Sequence, residues 1–278
     1  MAMMKSASKP PRLFAAPANT ESAAAYTAPA LEKGLDILEL LAAESAGLTQ
    51  VVIAQRLGRS ANEIFRMLSV LDRRGYLVRD ADGNYRLSLR LFELAHRHPP
   101  LKRLLTVALP VMQELAQTTR QSTHLVIHFA RRILVVAQVD SPEPMGFGLR
   151  LGANFPFLPD RAASRVLSAF QSPGVQDELI AEFAANSRSS MSIKKVREEL
   201  AMIARDGYYA GESDTATGIV DMCAPIFDHG EGAVASLTVP YLKQRDVRVK
   251  LAAAREALLV ATRRISVALG AAAAPDMV

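Results

Sequence analysis

Between residues 31 and 87 the apolar positions first repeat at helical spacing and then alternate. In LEKGLDILELLA, Leu31, Leu35, Ile37, Leu38 and Leu41 fall on one side of a helix expected over 31–43, which AESAG breaks. Thr49 is the expected N-cap of a short second helix in QVVIAQRL, where Val52, Ile53 and Leu57 recur and Gly58 marks the stop. A third helix follows at once. Ser60 and Glu63 have the spacing of a capping box, in which each side chain satisfies a free amide of the first turn. The pattern then changes period: YLVRDADGNYRLSL reads as two short strands, 76–79 and 84–87, around an Asp82-Gly83 turn.

The next stretch, LRLFELAHRHPPLKRLLTVALPVMQELAQTT, is helical on both sides of Pro99-Pro100, where the hydrogen-bond ladder must break. From 123 onward THLVIHFARRILVVAQVD gives two strands joined near Arg131-Arg132, and helical patterns return at 161–171, 175–185 and 192–206. Two further strands, in GIVDMCAPIF and AVASLTVP, flank the DHGEG turn, and 244–269 closes as an amphipathic helix. The expected class is α+β: a helical and winged unit over 30–92, a linker helix over 93–118 and a mixed α/β domain over 119–270. The segment 1–29 reads as a disordered tail, rich in Ala, Pro and Ser without the apolar core of a secretion signal, and 271–278 as a C-terminal tail.

On a helical wheel Asn62, Arg66, Ser69 and Arg73 lie within about 60° of one another, opposite Ala61, Ile64, Leu68 and Leu71. The bland reading is a solvated face on a packed helix. Charge changes that picture. The whole chain carries only +5, but between 56 and 79 six arginines stand against Glu63 and Asp72. Arginine pairs with guanine, asparagine with adenine, and hydroxyls or further arginines reach phosphates, so this face suits a major groove. Two helices, a recognition helix and a hairpin wing make a winged helix-turn-helix, with Arg59, Ser60, Asn62, Arg66, Ser69, Arg73 and Arg79 as the DNA-binding candidates and double-stranded DNA as the partner.

Composition excludes several other chemistries. A single cysteine, Cys223, cannot form an intramolecular disulfide or a multi-cysteine metal site and suits a reducing cytoplasm, which is the expected location. No apolar run reaches the ~18 residues of a membrane span. His124 and His128 share a strand face but no carboxylate or cysteine completes a metal set, and Cys223 has no adjacent base. No enzyme activity, metal or cofactor is expected, and these groups read as structural.

LEKGLDILELL, IAQRLGRSANEIFRMLSVLDRRGYL, YRLSLRLFELA, RDGYYAGESDTATGIVDMCAPIFD and AVASLTVP, in this order and at these separations, resemble successive landmarks of the IclR family of bacterial transcriptional regulators. The resemblance covers about residues 30 to 270. It implies a GAF-like C-terminal effector-binding domain, a homodimer or homotetramer, and control of a catabolic operon by a small organic acid. It also implies effector-binding positions: the backbone amides of Ala162, Ala163 and Ser164, with Glu212, Asp221, Cys223 and Thr238. Two departures bear on the ligand. Ser164-Arg165 stands where the family usually has Gly-Lys, and PFLPD lacks the histidine commonly found there; Asp221 would moreover repel a carboxylate unless protonated or paired. A GAF-like sensing protein whose helical front end mediates protein contacts is the alternative reading, and the arginine-rich face speaks against it.

Arg66→Ala is expected to weaken binding to a specific site by about 1–3 kcal/mol, and Arg79→Ala to weaken all duplexes alike and flatten the salt dependence. Gel-shift titrations on specific and scrambled DNA check both, and unchanged retention in both variants would reject this face.

Overall fold

The structure, a computed structural model, describes residues 28–97, 99–185, 192–230, 232–243 and 248–271. The two expected tails lie outside these residues, apart from Ala28, Pro29 and Ala271. The described chain divides into two compact units, one ending at Lys102 and the other beginning at Arg103.

In the first unit three helices, α1 (Pro29–Ala42), α2 (Gln50–Arg56) and α3 (Ala61–Arg73), precede a hairpin of β1 (Leu77–Arg79) and β2 (Tyr85–Leu87), and α4 (Arg90–Arg97) follows. Ile37 and Leu41 of α1, Ile53 of α2, Ile64 and Leu68 of α3, and Leu77 and Tyr85 of the hairpin bury together as one core. Polar contacts fix how the helices meet. Thr49 caps α2 by accepting from the Val52 amide, and Ser60 and Glu63 form the full reciprocal capping box of α3. Glu63 also receives Lys33 Nζ at 2.8 Å, tying α1 to α3, while Gln50 Nε2 donates to the Ala61 carbonyl at 2.9 Å and ties α2 to it. The wing is held by Asp80, which accepts from the amides of Asp82 and Asn84, and Gly83 takes the positive φ of +84° that its turn requires. Leu48 pairs with Tyr85, anchoring the wing to the chain entering α2.

The second unit holds most of α5 (Pro99–Thr119), then β3 (Thr123–Phe129), β4 (Arg132–Val139), β5 (Asn154–Pro156), α6 (Ala162–Ala169), α7 (Pro173–Ala185), α8 (Ile193–Asp206), β6 (Tyr209–Glu212), β7 (Ile219–Phe227), β8 (Ala233–Leu242) and α9 (Leu251–Ala268). All six strands join one antiparallel sheet in the order β5-β4-β3-β8-β7-β6. Period two divides its side chains between two layers. Val126, Val135 and Cys223 enter a core with Phe157, Val166 and Leu167 and with α7 and α8. Met222, Ala224 and Ile226 alternate with Cys223 and are fully buried on the opposite face, where α9 packs on β7. Coverage of both faces is why β7, Asp221 apart, reads as an apolar run instead of an alternating one.

Three local details differ from the sequence expectation. β5 and β6, three and four residues long, carry too few positions for a readable period. The closing helix begins at Leu251 rather than 244. The double proline falls where expected, with α4 ending at Arg97 and α5 starting at Pro99, because the first helical turn has no use for the missing amides.

Ser60→Ala, which removes a cap, should cost about 1 kcal/mol, and Leu68→Ala, which opens a cavity in the first unit's core, about 2–5 kcal/mol. Urea unfolding followed by circular dichroism distinguishes the two magnitudes.

Candidate nucleic-acid interface and effector cavity

On α3 the buried Ile64 and Leu68 leave the opposite face to solvent, and Asn62, Arg66, Ser69 and Arg73 are all exposed there. Two of the candidate hydroxyls are already engaged. Ser60 Oγ serves the capping box, and Ser69 Oγ donates to the Phe65 carbonyl at 2.8 Å, leaving only acceptor capacity outward. Arg59 sits at the entrance of α3 with Asp36 3.7 Å away, and Arg79 lies over the Tyr85 ring at 5.4 Å, a contact that orients it along the wing. The sequence reading passed over Phe65, which is 52% exposed on the same face. A wheel alone assigns such an aromatic to packing; only the position of the other helices shows that it stays half exposed among the described residues.

The second unit contains a cavity of about 40 Å³ between α6 and the sheet. Its apolar walls are Val126, Ile133, Phe147, Leu149 and Phe155. Its polar lining comes from His124, Thr238 and Asp221 on the sheet, Arg161 before α6, and Asp214 and Thr215 on the β6–β7 connection. Strand register explains the sheet side. His124 lies opposite Thr238, and Thr238 opposite Cys223, so these side chains share a face, and Asp221, two residues from Cys223, joins them.

The N-terminus of α6 opens on this space through Ala162 and Ala163, and no side chain caps it. Its unpaired amides make that end electropositive. Arg161 reinforces it: Nη1 binds Asp214 Oδ2 at 3.0 Å, the guanidinium lies 5.1 Å from the Phe155 ring centre, and the buried Nε has no hydrogen-bond partner among the described residues. Burial raises the carboxyl pKa of Asp214 and Asp221, and Arg161 counters the effect at both. Burial holds His124 and His128 down at about 4, so both are neutral at pH 7.

Of the expected effector positions, the structure brings Ala162, Ala163, Asp221 and Thr238 to the cavity. Ser164 is fully buried on α6 and is not among the residues lining the cavity. Glu212 is placed elsewhere: it is exposed on the edge strand β6 and does not line the cavity, because alternation turns it to solvent. Cys223 stands behind the lining, hydrogen-bonded at 2.6 Å to Ser236 and at 3.2 Å by the Thr238 hydroxyl, with burial pushing its thiol up to about 12. Such a thiol is a core group and no nucleophile. Arg161, His124, Asp214 and the three aromatic and aliphatic walls Phe147, Leu149 and Phe155 were not legible as site residues. Their common signal, an arginine immediately before a run of small residues, becomes meaningful once α6 is seen over the sheet.

Comparison with known proteins agrees with this architecture. Residues 30–81 match the IclR helix-turn-helix domain and residues 101–267 the bacterial transcriptional regulator IclR C-terminal family. The chain is 28% identical over 211 residues to the glycerol operon regulatory protein of Streptomyces coelicolor, covering 75% of this chain and 83% of that protein. It is 28% identical over 246 residues to BhcR of Paracoccus denitrificans, covering 85% and 86%. The same fold occurs in an IclR homolog from Microbacterium hydrocarbonoxydans complexed with 4-hydroxybenzoate, with a TM-score of 0.71, 23% identity and coverage of 86% and 98%. Thermotoga maritima IclR shares it with a TM-score of 0.70, 20% identity and the same coverage.

The two buried histidines set a pH dependence. The unfolded chain protonates them near 6.5 and the folded chain only near 4, so the unfolded state binds more protons between these values and stability falls as pH drops through that window. Each contributes up to about 1.4 kcal/mol per pH unit. Urea midpoints measured from pH 7 to 4.5 should decline, and His124→Gln should flatten the decline.

Proposed function

Since the chain belongs to the IclR family of bacterial transcriptional regulators, it is a DNA-binding helix-turn-helix regulator and not an enzyme, and we propose that it controls a catabolic operon in response to a small organic effector held between α6 and the sheet. The observation that carries the effector site is Arg161. A buried guanidinium nitrogen without a partner, beside the uncapped start of a helix, is a site prepared for a carboxylate. The 4-hydroxybenzoate complex of the Microbacterium homolog supports an acid of modest size.

The cavity as it stands has room for about two waters, whereas enclosed ligand sites span several hundred Å³. An effector therefore binds a wider form of this domain, with Phe147 and Leu149 displaced, and shifts the population toward it. That differential affinity is what a regulator needs to alter operator binding. On the DNA side, Asn62, Arg66 and Arg73 read base edges or phosphates, Arg59 and Arg79 hold the backbone, and Phe65 offers an apolar contact for a thymine methyl group. The exposed Leu31, Leu35, Leu89 and Phe92 supply surface for a homodimer whose two recognition helices meet a two-fold operator, a role exercised in the cytoplasm.

Titrating small carboxylates, 4-hydroxybenzoate among them, into the full chain should raise its melting temperature and change its retention of DNA from upstream of its own gene. Arg161→Ala should abolish both responses while leaving DNA binding without effector intact. An effector response undiminished in that variant, or sedimentation as a monomer both free and on DNA, would reject the scheme.

A further inference from the structure

The charges lining the cavity do not fit a plain organic acid. Among the described residues the lining has one cation, Arg161, already joined to Asp214 at 3.0 Å. Asp221 is a second carboxylate, 8% exposed, with no ion pair among the described residues; burial raises its pKa and the nearby Ser213 side chain opposes that rise. A monoanion entering this space would sit beside a second buried carboxylate, which shares Arg161 with Asp214.

The neighbours of Asp221 are acceptors too. Thr238 spends its proton on the Cys223 sulfur at 3.2 Å, so its oxygen faces the cavity as an acceptor. His124, 5% exposed, is a neutral imidazole with one acceptor nitrogen, and its buried Nδ1 has no hydrogen-bond partner among the described residues. Sheet register sets all three on one face, His124 directly across from Thr238 and Asp221 diagonal to it. A carboxylate and a hydroxyl oxygen converging beside a neutral imidazole match a group that brings several N–H donors and a positive charge.

We propose that Asp221, Thr238 and His124 form a subsite for a primary ammonium group, so that the effector of this chain is an amino-acid-like zwitterion. Its carboxylate meets Arg161 and the α6 amides, its ammonium meets the sheet, and its apolar body lies against Phe147, Leu149 and Phe155. The inference rests on the effector-site reading above and narrows the ligand class. The zwitterion adds no net charge to the cavity, and its ammonium compensates Asp221 directly.

Matched probe sets test this on the full chain by calorimetry and thermal shift: valine with isovalerate and isobutylamine, phenylalanine with 3-phenylpropionate and phenethylamine, 4-aminobutyrate with butyrate and propylamine. In the set that fits the cavity, the amino acid is expected to bind at least tenfold more tightly than the acid of the same body. Asp221→Asn should reduce that preference to less than threefold without weakening the acid, and Thr238→Val, which keeps the side-chain volume, should reduce it to an intermediate degree. An acid that equals its amino counterpart, or a preference unchanged in both variants, overturns the ammonium subsite. If the acid still loses binding in Arg161→Ala, the effector site itself stands. Absence of binding by every probe, with DNA retention unaffected, overturns both.

Discussion

The register between β3, β8 and β7 is the constraint on which the second unit turns. With His124 opposite Thr238 and Thr238 opposite Cys223, one face of the sheet carries the polar lining and the other carries Met222 and Ala224 toward α9. A slip of one residue would exchange the faces, bury Asp221 against an apolar helix and empty the cavity of its polar groups. Both faces are covered, so the apolar cost of such a slip is large on either side, and the site inherits its precision from the core.

The first unit relies on a comparable economy at Glu63. That carboxylate closes the capping box of α3 and accepts Lys33 from α1, and these hydrogen bonds hold its pKa down at about 2. Because the group is exposed, its contribution to stability is modest. Its consequence is geometric: α3 is fixed at its first turn by side chains on its inner edge, which leaves the outer edge to Asn62, Arg66 and Arg73.

Arg161 links the chemistry of the cavity to the possibility of response. It bridges the start of α6 to Asp214 on the β6–β7 connection while one of its nitrogens stays unsatisfied. On the proposed function, a ligand carboxylate would compete for the same guanidinium, so occupancy would change what holds that connection in place, and Phe147 and Leu149 line the same small cavity.

Local patterns carried much of this protein in the open. The capping box, the Thr49 cap, the glycine turn of the wing and the α3 stripe each depend on residues within a few positions of one another, so period and spacing alone predicted them. The sheet strands β7 and β8 were visible for the same reason. What depends on residues far apart in sequence was not. Glu212 and Asp221 look alike on paper, yet pairing of β6 with β7 sends one to solvent and the other to the cavity. Nor could spacing reveal that His124 and Asp221, nearly a hundred positions apart, meet beside Arg161. Strand order and register join those distances, and they are set by how the whole sheet buries its two faces.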